Sequence, residues 1–209
     1  MYRSCPVSGS QEDGEFVGKY ESSGRIGQIL INRFFDAVTG LVRPCLGEVR
    51  GILEVGCGPG YSTQRLAALA GERRLIASDI SPGLLARARM LNPDIPLISQ
   101  SVFDLAHPNK SFDLVVMLEV LEHLDRPAVA LQELHRVCSR FLVLSTPREP
   151  IWRMLNCARG KYLKDLGNTP GHVQHWSSRG LVAEVSPYFE VIAVARPLPW
   201  TVLLLAPRE

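Results

Sequence analysis

Two carboxylates and an imidazole fall within five residues in the run Glu119-Val120-Leu121-Glu122-His123. If the run is helical, Glu119 and His123 share a face, because residues four apart are neighbours on a helix surface. Two chemistries fit. His123 can act as a general base, since imidazole titrates near neutrality and can take a proton from an attacking hydroxyl. Alternatively, Glu119, Glu122 and His123, joined by His172 or His175 from a later loop, make an oxygen and nitrogen ligand set for a divalent metal ion. A third account is purely positional: the run lines a neighbouring ligand and starts the next helix.

A second constellation precedes it. Glu54-Val55-Gly56-Cys57-Gly58-Pro59-Gly60 follows a short apolar run and leads into a helical pattern. Glycines at such a place allow a tight turn and a close approach of backbone to ligand. The spacing is GxGxG, and Tyr61 stands where a dinucleotide fingerprint has its third glycine. A pyrophosphate on the helix N-terminus would meet the Glu54 carboxylate nearby, whereas a cofactor with a cationic amine would be attracted to it. Asp79 lies 19 residues after Gly60, near the distance at which an acidic residue reaches ribose hydroxyls. Cys57 reads as a small residue that fits the loop.

The elements that must hold these residues are legible from periodicity and punctuation. Ile26, Ile29, Leu30, Phe34, Val38 and Leu41 recur at helical spacing over Arg25–Val42, ahead of Pro44. Strands are expected at 51–55, 75–78, 96–99, 112–117, 141–145, 189–195 and 201–205. Helices are expected at 61–70, from Ser81-Pro82 to about Leu91, at 127–137 and at 178–185. Ser81 supplies an N-cap and Pro82 a first helical position, and Gly71 closes the helix before it. Strand and helix in alternation predict a doubly wound α/β sheet with helices on both faces. Residues 146–177 break the rhythm with Pro147, Pro150, Trp152, Gly160, Tyr162, Gly167, Pro170, Gly171, His172, His175 and Trp176. The stretch is long for a connection and is expected to be a substrate lid, with Trp152, Tyr162 and Trp176 either lining an apolar pocket or packed as core. Residues 1–209 are read as one domain, with residues 1–45 as an N-terminal arm and helix.

The motifs LEVGCGPG, IASDIS, SVFDLAHPNKSFDLVV and MLEVLEHL, within residues 50–145, resemble those of the class I S-adenosylmethionine-dependent methyltransferases. The resemblance implies a Rossmann-like, seven-stranded, mostly parallel sheet whose last strand is antiparallel. It implies S-adenosyl-L-methionine as cofactor and S-adenosyl-L-homocysteine as product. Glu54 would then lie near the methionine amine, and Gly56, Gly58 and Gly60 under the methionine and ribose. Asp79 would hold the ribose hydroxyls and Ile80 would lie against the adenine. Where the family often has Gly-Asp-Ala, this chain has Gln100-Ser101-Val102, so Ser101 is a departure at the adenine end and Val102 keeps an apolar contact. Leu118 and Glu119 would flank the cofactor, and Tyr20 would close over it from the arm. The EVLEH string is similar to that of ubiquinone-biosynthesis O-methyltransferases, which implies methyl transfer to oxygen of a small-molecule acceptor. It is also similar to that of small-RNA 2′-O-methyltransferases, where two such glutamates and two histidines hold a metal. A protein that keeps the cofactor pocket without the chemistry is a further alternative.

Bulk composition bounds the partners. With 23 basic and 21 acidic residues the net charge is +2, which predicts no strong general pull on nucleic acid or an anionic membrane. The five cysteines include no CxxC pair, so a reducing, cytoplasmic setting is expected. No run is apolar enough to span a bilayer, and Met1-Tyr2-Arg3-Ser4-Cys5 opens no signal segment.

Overall fold

The computed structural model describes residues 24–209. Tyr20 and residues 1–23 of the N-terminal arm lie outside the described residues. The elements run α1 (Arg25–Val42), β1 (Gly51–Val55), α2 (Tyr61–Ala70), β2 (Arg74–Asp79), α3 (Pro82–Leu91), β3 (Leu97–Ser99) and β4 (Phe112–Leu118). They continue with α4 (Pro127–Val137), β5 (Cys138–Pro147), α5 (Ile151–Ala158), α6 (Ser178–Val185), β6 (Phe189–Ala195) and β7 (Trp200–Pro207). The seven strands form one sheet in the order β3-β2-β1-β4-β5-β7-β6. β1 to β5 pair in parallel, and β7 is antiparallel to both β5 and β6. This is the expected doubly wound α/β sheet with an antiparallel last strand.

Strand side chains alternate between two cores, as a two-residue period requires. Leu53, Val55, Val115, Met117, Leu142 and Leu144 face α4 and α6, and Leu131, Leu134 and Leu181 complete that layer. Ile52, Leu114, Val116, Val143, Val202 and Leu204 face the other way, onto Phe34, Phe35 and Val38 of α1 and Leu66 of α2. Both faces of the sheet are thus covered, which is why its central strands read as continuous apolar runs.

Local punctuation acts as the residue types predict. The Ser81 hydroxyl accepts the Leu84 N–H at 3.3 Å and Pro82 opens α3. Gly71 ends α2 at φ +60°, its N–H on the Ala67 carbonyl. Strand β3 begins one residue later than expected, at Leu97. Pro96 has no N–H to give the ladder, although its carbonyl accepts Ala77 N–H at 3.0 Å. Within 146–177 the chain forms α5 and a 3₁₀ turn over Leu163–Asp165, neither of which was expected. Among the described residues, no helix is long and apolar enough to cross a membrane.

Candidate active site

Strand order reverses between β1 and β4, and the space beyond the carboxyl ends of strands at such a switch point is the crevice where open α/β sheets bind ligands. The glycine loop lines it. Gly56 and Cys57 N–H groups both donate to the Ser78 carbonyl, at 2.8 and 2.9 Å, which pins the loop across the end of β2. Asp79 then clamps it from the side chain. Its Oδ2 accepts Gly58 N–H at 2.8 Å and its Oδ1 accepts Ser81 N–H at 2.9 Å. Gly60 has φ +92°, and a Cβ there would lie 2.9 Å from the Ala88 Cα. Its carbonyl accepts the Asn92 amide at 3.0 Å. Only glycine satisfies both conditions. Cys57 is buried and its thiol is pushed up by that burial, consistent with a small packing residue.

Glu54 is 1% exposed. The Thr63 hydroxyl donates to its Oε2 at 2.7 Å. Burial pushes the Glu54 carboxyl up to about 7, against the lowering effect of hydrogen bonds from Ser62 and Thr63. A buried carboxyl of this kind gains from a cationic partner, because the cation offsets the desolvation of the charged form. Ile80, next to Asp79, is 64% exposed and so available as an apolar rim. Val102 is buried. The Ser101 hydroxyl accepts the Phe103 N–H at 3.2 Å, and its own O–H remains a donor where the family commonly has a carboxylate. Leu118, half-buried, packs on the α1 side of the sheet. These residues and chemistries fit a cofactor with an amine, a ribose and an adenine.

The segment after β4 departs from the helical expectation. Glu119 has φ +60°, and a 3₁₀ turn follows over Leu121–His123. Glu119 and His123 therefore do not share a helical face. The Glu119 carboxylate is turned toward β5 and β7: Ser145 Oγ donates to its Oε1 at 2.9 Å and Trp200 Nε1 to its Oε2 at 2.6 Å. Val120, next in sequence, packs against Gly56 so closely that a Cβ on that glycine would meet Val120 Cγ2. The cofactor loop and the histidine turn are thus in direct contact.

His123 Nδ1 lies 3.1 Å from the Gly171 carbonyl. A carbonyl only accepts, so the Nδ1 carries the proton in this contact. The later loop is fastened to this turn by its backbone. The Glu122 carbonyl accepts Val173 and Gln174 N–H, each at 3.0 Å, and Gln174 Nε2 donates to the Leu124 carbonyl at 3.2 Å. This clasp brings His172 to His123, their rings 4.8 Å apart and edge to face. Ligating atoms of Glu122, His123 and His172 all lie within 4.8 Å of one another. Of the expected metal set, Glu119 is left out by its bonds to Ser145 and Trp200. His175 is left out too, its Nε2 lying 2.7 Å from Asn168 Oδ1. The three that converge suit a divalent ion, and the Nδ1–H to carbonyl bond of His123 is the outer-shell support that a ligating imidazole usually has.

Of the aromatics in 146–177, Trp152 is packed as core, against Trp200 at 5.9 Å and His172 at 6.0 Å between ring centroids. Ser145 and Trp200 were not expected at the site. Ser145 is the last β5 residue paired in parallel with β4, at the ligand edge of the sheet, and was findable on that ground. Trp200 lies 81 residues from Glu119 and carried no local signal.

Comparison with known proteins matches this geometry. Residues 53–140 match the family described as a methyltransferase domain. A probable S-adenosylmethionine-dependent methyltransferase of Mycobacterium tuberculosis is 36% identical over 100 residues, covering 47% of this chain and 36% of that one. A ubiquinone biosynthesis O-methyltransferase of Xanthomonas oryzae is 34% identical over 96 residues, covering 44% and 38%. The chain thus spans less than half the length of these relatives. Magnesium protoporphyrin IX methyltransferase of Synechocystis, solved with bound S-adenosylhomocysteine, superposes with a TM-score of 0.69 at 16% identity, covering 94% of both chains. Sheet order, glycine loop and crevice define a Rossmann-like methyltransferase fold. Residues 53–140 carry the match to the methyltransferase domain, and over this part the chain is similar to S-adenosylmethionine-dependent methyltransferases.

Proposed function

We propose that the chain transfers a methyl group from S-adenosyl-L-methionine to an oxygen of a small-molecule acceptor, with His123 as general base. The observation that carries this reading is the contact of Gly56 with Val120, which joins the cofactor loop to the turn that bears His123. When bound, the cofactor supplies a methyl group on a positively charged sulfur. Glu54 would hold the amine, Asp79 the ribose, and Ile80, Ser101 and Val102 the adenine. Leu118 and Glu119 close the side of the crevice, with Glu119 fixed by Ser145 and Trp200. His123 Nε2 would take the acceptor's hydroxyl proton during transfer of that methyl group. The Gly171 carbonyl stabilises the resulting imidazolium through Nδ1–H. The rest of the catalysis is alignment of oxygen, carbon and sulfur.

Residues 146–177 act as the substrate lid of this single domain, held over the site by the Glu122 clasp. Two relatives are named for ubiquinone biosynthesis O-methylation and trans-aconitate methylation, which supports a small acceptor. The test is S-adenosylhomocysteine production across phenol, carboxylate and enol acceptors. His123→Ala should lower turnover and spare cofactor binding. No product above background with any acceptor would leave a binding protein without chemistry.

A second reading gives the same site a divalent ion on Glu122, His123 and His172, and the convergence of their ligating atoms favours it. The ion would polarise the acceptor oxygen, and His123 would then be a ligand and not the base. Dialysis against a chelator distinguishes the two: activity that survives excludes the metal. An RNA 2′-O-acceptor is less well supported, because 23 basic residues stand against 21 acidic ones.

A further inference from the structure

The near balance of charge over the chain conceals a local excess. Residues 151–166 hold Arg153, Arg159, Lys161 and Lys164 against one acid, Asp165. The same stretch exposes large apolar side chains. On α5, Trp152 and Asn156 face inward, and Met154, on the opposite side, is 65% exposed. Leu163, which opens the 3₁₀ turn that follows, is 59% exposed, and Leu166, just past it, is 72% exposed.

This face is built, not loose. Arg153 Nε donates to the Leu166 carbonyl at 3.0 Å and its Nη2 to the Asp165 carbonyl at 3.4 Å, tying the turn to α5. Asn156 Nδ2 donates to the Gly167 carbonyl at 2.9 Å. Gly167, at φ +78°, packs so closely on the Arg153 carbonyl that no Cβ would fit. Tyr162 and Leu166 bracket the turn at φ +54° and +51°, a region that costs a side-chain-bearing residue about 1–3 kcal/mol. Burial does not repay that cost for Leu166, which the fold holds outward.

We propose that this face of the 151–166 segment docks on an anionic lipid surface. The basic side chains would lie at the headgroup level, and Met154, Leu163 and Leu166 would enter the interface. Charge complementarity selects the lipid charge. Three exposed aliphatic side chains among the cations favour a bilayer over a nucleic acid, which rewards stacking aromatics instead. Association is at the surface, since no described helix spans a membrane. The inference is independent of the acceptor and of His123.

The test is co-sedimentation of the full chain with phosphatidylcholine vesicles, with and without phosphatidylglycerol, at low and high salt. Binding is expected only with phosphatidylglycerol and should fall with salt. Lys161→Glu with Lys164→Glu should weaken it at least about 25-fold. Met154→Ser with Leu163→Ser should weaken it about tenfold. Both variants should keep the parent's thermal transition and cofactor binding. The proposal is overturned by equal binding to neutral vesicles, by no binding, or by variants that bind as the parent does. It is also overturned if sedimentation equilibrium shows a dimer that the same variants break while vesicles are ignored.

Discussion

Trp200 Nε1 donates to Glu119 Oε2 across 2.6 Å, so the last strand of the sheet reaches back to fix the carboxylate that follows β4. The indole also packs on Phe34 at 5.0 Å and on Trp152 at 5.9 Å between ring centroids. The pair joins α1, the 146–177 segment and the active-site edge at one point.

Trp200→Phe keeps most of that packing and deletes the donor. The variant should lose about 2 kcal/mol of stability, the usual scale for a hydrogen bond to a charged group. Urea denaturation measures it. An unchanged midpoint would mean that Ser145 alone is enough to hold Glu119.

Glu54 sets a pH dependence. Its carboxyl is raised from the ordinary 4.5 to about 7, chiefly by burial. The folded chain therefore binds this proton more tightly than the unfolded chain does. On this account stability is full below pH 4.5, declines as pH rises, and levels off above about 7, a loss of up to about 3 kcal/mol without cofactor. Glu54→Gln should remove that slope and melt higher than the parent at alkaline pH, yet bind the cofactor more weakly. Thermal melts across pH and calorimetric titration give both readings.

Asp79 clamps the glycine loop through Gly58 and Ser81 N–H groups, and the proposed function gives it the ribose as well. Asp79→Ala should weaken cofactor binding by about 1–3 kcal/mol. It should also lower the melting temperature of the empty protein, because Gly58 and Ser81 N–H groups lose their acceptor. A variant that lost affinity with unaltered stability would place Asp79 on the ligand alone.

Gly60→Ala puts a Cβ at φ +92° and 2.9 Å from the Ala88 Cα. It should destabilise the fold by at least about 2 kcal/mol and weaken cofactor binding with it. Gly58→Ala, where a Cβ meets nothing within 4 Å, should cost less despite its positive φ. Chemical denaturation of the two variants ranks them.

The sheet was legible in the sequence because its strands are buried on both faces and its turns are marked by Gly71 and by Ser81-Pro82. Helix α5 was not, since it follows Pro147 and Pro150 closely and includes Asn156. That residue is buried only because Gly167 and Thr169 return to accept its amide. The glycine loop was legible because its conformation is local. The choice between His172 and His175 was not, as it is made by the Glu122 carbonyl capturing Val173 and Gln174 from a distant segment. The same separation hid Trp200, and Glu119 left its expected helical face because of bonds made to β5 and β7. The basic excess of 151–166 vanished into a chain total of +2.

The most direct measurement is calorimetric titration of the purified chain with S-adenosylhomocysteine, alongside NAD and Asp79→Ala. A single saturable site for S-adenosylhomocysteine, no heat with NAD, and an affinity at least about fivefold weaker in the variant are the predicted results. Binding of NAD in place of S-adenosylhomocysteine, or no binding of either, would contradict the account at its centre.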